Sequence, residues 1–198
     1  MATYAYPATL KPEGYDYAVE FDVQLNVSRN GRITTYGLPG ARWTCTLTYP
    51  ADAEHITRPA LEALLVSLEG GVNRLALPHF GRPYPNGTMR GAPTVAITAA
   101  AGAKTISLAS ANGTLKAGDI LGIGGQWVMV KDDTASTAGS MNVNFMPALR
   151  AQASAGASVV WNKPTALFVP RTSAAGPFPF RAGRSRPGFS VQFVEAFV

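Results

Sequence analysis

Cysteine is almost missing from this 198-residue chain: only Cys45 is present. One cysteine makes no intramolecular disulfide and no cysteine-based zinc cluster, and its place between Thr44 and Thr46 in a strand-like run reads as a buried, inert thiol. Histidine is nearly as scarce, with His55 and His79 both in loop-like sequence and outside any His-Glu-x-x-His pattern. Charged residues make up only 15% of the chain, well below the usual quarter. No window approaches the roughly 18 uninterrupted apolar residues of a membrane helix, and the N-terminus lacks the charged-then-apolar layout of a signal peptide. A soluble protein made in a cytoplasm, without membrane insertion, is expected.

Catalytic patterns are missing too. There is no Gly-x-Ser-x-Gly elbow. The glycine-rich Gly118–Gly125 run lacks the Gly-Lys-Ser/Thr ending of a phosphate loop and opens no helix. Asp132-Asp133 lacks the acidic spacing of a calcium loop. The 12 acidic residues are spread thinly, and no carboxylate pair stands out for glycoside chemistry. The sequence makes no case for an enzyme, a metal or a cofactor.

What the chain does have is one convincing helix. In Arg58–Leu77, Leu61, Leu64, Leu65 and Leu68 recur at helical spacing. Thr57 is the expected N-cap, Pro59 suits a first turn, and Gly70-Gly71 supplies a left-handed stop, giving a helix over 57–70. Leu75 and Leu77 then alternate with Arg74 and Ala76 as a strand. Nearly everything else reads as strands and turns, in keeping with 20 Gly and 15 Pro. The helix must bury its stripe on a sheet or across the open end of a sandwich.

Along the chain, residues 1–18 are rich in Tyr and Pro and read as an extended arm, whose amphipathic aromatics, Tyr4 and Tyr6 among them, suit docking on a neighbour as well as on the parent domain. Val19, Phe21, Val23, Leu25 and Val27 alternate with polar residues, which predicts one half-buried strand before the Asn30-Gly31 turn. Trp43, Cys45, Leu47 and Tyr49 predict another. A Gly/Pro-dense stretch over 78–93 carries Arg82, Tyr84 and Arg90. From Thr94 the residues become small and turns frequent, with short strands that suit a small barrel or compact sandwich. After Pro164 the earlier style returns and ends in a strand starting at Phe189, whose sheet neighbours should lie in 19–49. The expected fold is mainly β: a β-sandwich with one packed α-helix, formed by 1–91 and 164–198, interrupted by a small inserted β-domain over 92–163.

Of the 17 basic residues 12 are Arg, and the net charge is +5. Arg171, Arg181, Arg184 and Arg186 share a loop with Phe178 and Phe180 and no acid. Arg and Phe are common interface anchors, so this loop favours protein contact over bare phosphate attraction. Nucleic acid is not the favoured partner, because the basic residues form no tight run with interleaved aromatics. Trp127, Tyr84 and Trp161 are the candidates for a glycan-stacking platform.

The stretch Arg58–Leu77 resembles the helix–Gly–strand segment of tail-tip proteins from long-tailed bacteriophages, and so does Gly87-Thr88-Met89-Arg90-Gly91-Ala92-Pro93 leading out of it. Leu115–Asp119, Gly124-Gly125-Gln126 and Met146–Arg150 are similar to the inserted β-domain of such proteins. The resemblance covers about half the chain and contains no catalytic signature. It implies a distal tail protein of the virion tail tip: a hexameric ring, assembled in the host bacterial cytoplasm, joining the tail tube protein to the tail-tip hub protein of the baseplate. Tail tube and tail-terminator proteins share related folds and rings, so those are the alternatives. The added domain implies attachment, including to a host surface glycan, and a carbohydrate- or receptor-binding β module is the reading from a different class.

Overall fold

A computed structural model describes residues 1–37, 40–51, 57–173 and 188–196. In chain order the elements are β1 (Thr3–Ala5), β2 (Gly14–Glu20), β3 (Val23–Val27), β4 (Ile33–Gly37), β5 (Arg42–Tyr49), α1 (Thr57–Ser67) and β6 (Arg74–Pro78). There follow β7 (Thr94–Val95), β8 (Thr105–Ala109), β9 (Thr114–Leu115), β10 (Ile120–Ile123), β11 (Gln126–Val130), β12 (Thr134–Ala135), β13 (Met141–Met146) and β14 (Val159–Val160). The chain returns through β15 (Thr165–Pro170) and β16 (Phe189–Glu195). The fold is mainly β, a sandwich-like domain with one packed helix and a small β-barrel inserted in it.

The main sheet has the order β1-β6-β15-β16-β5-β2, with β1 parallel to β6 and the other pairs antiparallel. The last strand thus pairs with β5, among the early strands, and closes the sheet across the insertion. α1 lays Leu61, Leu64, Leu65 and Leu68 on Leu47, Leu75, Leu77, Phe168 and Phe193, and all are buried. Its end follows the glycines. Ser67 closes the α-helix, a 3-10 turn covers Glu69–Gly71, and Gly70 and Gly71 take φ of 63° and 104°.

The inserted sheet, β14-β10-β11-β13-β8-β7, nearly closes on itself. The Val95 N–H donates to the Ala157 carbonyl (2.9 Å) and the Val159 N–H to the Pro93 carbonyl (3.0 Å), so the β7 and β14 ends meet. Its interior is filled by Met89, Ile106, Leu108, Leu121, Val128, Val143 and Phe145. The loop leading in from β6 is strapped to this barrel by buried Asp119. That carboxylate accepts the N–H groups of Asn86 (2.7 Å), Gly87 (3.3 Å) and Lys116 (2.8 Å). Gly87 is obligatory there, because a Cβ would stand 2.1 Å from the Thr114 carbonyl oxygen.

One expectation changes and another is narrowed. The alternation over Val19–Val27 is two strands with a break at Phe21-Asp22, and only the first belongs to the main sheet. β3 pairs with β4 alone, as a two-stranded ribbon whose residues are all exposed. The Tyr/Pro arm, suited to a neighbour or to the parent domain, docks on the parent domain. Its backbone adds β1 to β6, and the Tyr6 hydroxyl meets that of Tyr49 at 2.8 Å.

Candidate functional site

Directly paired residues of an antiparallel ribbon share a face. In β3–β4 the pairs are Val23 with Gly37, Leu25 with Thr35, and Val27 with Ile33. All the aliphatic side chains therefore fall on one face and Gln24, Asn26, Thr34 and Tyr36 on the other. That apolar face is bare: Val23 is 48% exposed, Leu25 64%, Val27 61% and Ile33 60%. At the ribbon's base a groove of about 650 Å³ runs between Phe21, Val23 and Gly37 on this face and Lys104, Met146 and Leu149 of the barrel. A contiguous exposed apolar strip rimmed by polar residues marks an interaction site. The turn at the tip carries exposed Arg29 and Arg32.

An aromatic cluster fills the place where sheet and barrel meet. Trp127 is fully buried, with ring centroids 4.9 Å from His79, 4.9 Å from Phe168, 5.7 Å from Tyr17 and 6.1 Å from Trp43. Its Nε1–H donates to the Pro164 carbonyl at 3.1 Å, and its own carbonyl accepts the Trp43 Nε1–H at 2.9 Å. His79 stacks on Tyr17 at 4.1 Å, and its Nδ1 accepts the Arg82 N–H at 3.0 Å. Burial, then the Arg82 charge, pushes the His79 pKa down from 6.5 to about 4, so the ring is a neutral packing group at neutral pH. Burial pushes the Cys45 thiol up to about 12, which leaves it unreactive.

The sequence-nominated residues separate into three groups. Trp127 is no stacking platform: alternation identified its face, but that face points into the core shared by sheet and barrel. Tyr6 packs within its own chain, edge-on to Phe80 at 5.2 Å. Arg171 is half exposed and paired with Glu20 at 2.6 Å, and Arg82 donates to the Gly118 carbonyl at 2.5 Å. Tyr4, Tyr84 and Arg90 are on the surface, and Trp161 is half-buried with its Nε1–H on the Gly91 carbonyl at 2.9 Å. His55 and the loop residues Phe178, Phe180, Arg181, Arg184 and Arg186 lie outside the described residues.

The ribbon itself was missed as a site. Its signal was in the sequence, because an apolar alternation continued past the charged Glu20 and Asp22 and led to an Asn-Gly turn flanked by arginines. Among the described residues no group of three or more His, Cys, Asp or Glu could hold a metal ion, and no helix is long and apolar enough to cross a membrane. The chain matches no family model and no curated protein.

Proposed function

We propose that this chain is a structural ring subunit of the tail tip of a long-tailed bacteriophage, which works by self-assembly and not by catalysis. The observation that carries the reading is the β3–β4 ribbon, whose apolar face is exposed along its whole length. A stable monomer gains nothing from such a face, whereas an assembling subunit needs one. The resemblance of Arg58–Leu77 and Gly87–Pro93 to tail-tip proteins adds the place: between tail tube and hub, in the virion. The low charge content suits a surface largely covered by neighbours.

Native mass across a concentration series, with electron microscopy of the largest species, tests this. A closed ring, with six subunits as the expected order, supports the reading. A strict monomer at high concentration overturns self-assembly. Of the glycan-platform residues, Tyr84 and Trp161 are left, and the Lys163 N–H on the Pro83 carbonyl (2.6 Å) brings their two segments together. Glycan binding by a monomer, lost on Trp161→Ala, is the outcome that would favour the attachment-module alternative.

A further inference from the structure

The charges around the ribbon are partitioned along the chain. Residues 13–22 hold Glu13, Asp16, Glu20 and Asp22 with no base, and residues 23–51 hold Arg29, Arg32 and Arg42 with no acid. The first group lies on and beside β2, the terminal strand of the main sheet, which pairs only with β5 among the described residues. Its outer edge therefore offers unpaired backbone donors and acceptors, a template for another strand. Beside that edge Tyr15 is 43% exposed, with its ring 6.0 Å from Phe80, and two exposed acids stand along the same edge, Glu13 two residues before it and Asp16 on the opposite face of the strand. An aromatic centre with an acidic rim is the counterpart of an aliphatic strip with an arginine tip.

Among the described residues of one chain the two surfaces are not paired with each other. β2 and β3 are separated by two residues, the ribbon pairs with no strand of the main sheet, and Glu20 is paired with Arg171 instead. We infer that the partner of the ribbon is the β2 edge of a second copy: the apolar face of β3–β4 covers Tyr15, and Arg29 and Arg32 reach Glu13 and Asp16. This rests on the self-assembly reading and names the surface it uses. The contact joins two different patches, so it is heterologous. Repetition closes into a ring when the rotation per copy divides a full turn, and into a filament otherwise. The acids and arginines also reject the wrong pairings, since edge on edge and tip on tip bring like charges together.

Reciprocal charge reversal tests it on the full chain. Arg29→Glu with Arg32→Glu makes an acid tip, and Glu13→Arg with Asp16→Arg makes a basic edge. All four side chains are exposed and none anchors the fold. Each double variant alone is expected to lose self-association by about tenfold or more at low salt, with the loss shrinking as salt screens the charges. An equimolar mixture of the two is expected to assemble again, because every tip then finds an opposite edge. The chain carrying all four changes is expected to assemble by itself. Leu25→Ser with Val27→Ser, on the exposed apolar face, provides the control. If that variant is monomeric while both charge variants assemble like the wild type, self-assembly stands and the β2 edge as partner is overturned. If single variants fail and the mixture does not recover, the pairing of tip with edge is likewise overturned.

Discussion

Trp127 shows how much one residue can fix. Its indole donates to Pro164, its carbonyl accepts from Trp43, and four aromatic neighbours surround it with no exposed surface. Trp127→Ala leaves a large cavity and takes the indole donor from the Pro164 carbonyl, while the bond from Trp43 to the main-chain carbonyl stays, and a loss of about 3–5 kcal/mol in denaturant unfolding is expected. A variant that kept nearly full stability would show that sheet and barrel are joined elsewhere. The neighbouring His79 gives the chain a pH signature. Its folded pKa, about 4, lies below the ordinary 6.5, so in that interval the unfolded chain binds the proton and the folded one does not. Its stabilising contribution is complete above 6.5 and is lost as the pH falls toward 4. Burial of Glu195 acts in the opposite sense, raising its pKa, so the test is comparative. His79→Phe keeps the stack on Tyr17, and its unfolding midpoint is expected to fall less steeply than the wild type's between pH 6.5 and 4.5. Equal slopes would remove His79 from the acid response.

Between residue and whole molecule, the elements fold by what their local pattern requires and are oriented by what lies across from them. Asp119 holds the 82–90 loop because three N–H groups converge on its carboxylate. Asp119→Ala is expected to cost about 1–3 kcal/mol, because three part-buried N–H groups lose a charged acceptor, read as a drop in the thermal midpoint. A change within experimental error would mean that the Thr88–Thr114 contacts (3.1 Å) carry the strap alone. The helix and β6 were legible because their stripe, Leu61 through Leu77, can satisfy only one periodicity and has only the sheet to bury on. The barrel strands were legible from turn glycines such as Gly124, at φ 57°. The ribbon was not. A period of two says that Val23, Leu25 and Val27 share a face, but whether anything covers it depends on a neighbour that the alternation does not name. The same limit hid the direction of Trp127, whose side of the barrel wall is decided by β5 and β15, more than thirty residues away in each direction of the chain. The arm left two partners open for the complementary reason: its extended backbone suits any vacant strand edge, and here that edge is β6 of its own chain.

At the scale of the whole molecule there are two cores, one inside the barrel and one between sheet and helix, and among the described residues the barrel strands reach the second through buried Ile120 and Trp127 and half-buried Met129. Side-chain packing alone would leave a hinge there. Glu195, almost fully buried on the last strand, removes it. Its carboxylate accepts the N–H of Trp43 at 3.0 Å from the sheet and the N–H of Trp127 at 2.8 Å from the barrel, and it is paired with the Arg150 guanidinium from the segment after β13. One group thus ties the first third, the insert and the C-terminal strand of the chain. A buried carboxylate in this position is costly by itself, as its raised pKa records, and is tolerated because three partners face it. Glu195→Ala takes the acceptor from two buried N–H groups and strips Arg150 of its carboxylate, so a loss of about 3–5 kcal/mol is expected. The loss should be unequal between the cores. With the joint gone the two cores have little reason to melt together, and calorimetry of the variant is expected to show two transitions where the wild type shows one. The surface pair Arg171–Glu20, half exposed on both sides, provides the contrast: Glu20→Ala should cost less than about 1 kcal/mol and leave a single transition. If Glu195→Ala also melted in one step with so small a loss, the packing of Trp127, Ile120 and Met129 would hold the barrel without the carboxylate, and a ring built on the sheet would not depend on Glu195 to mount its outer domain.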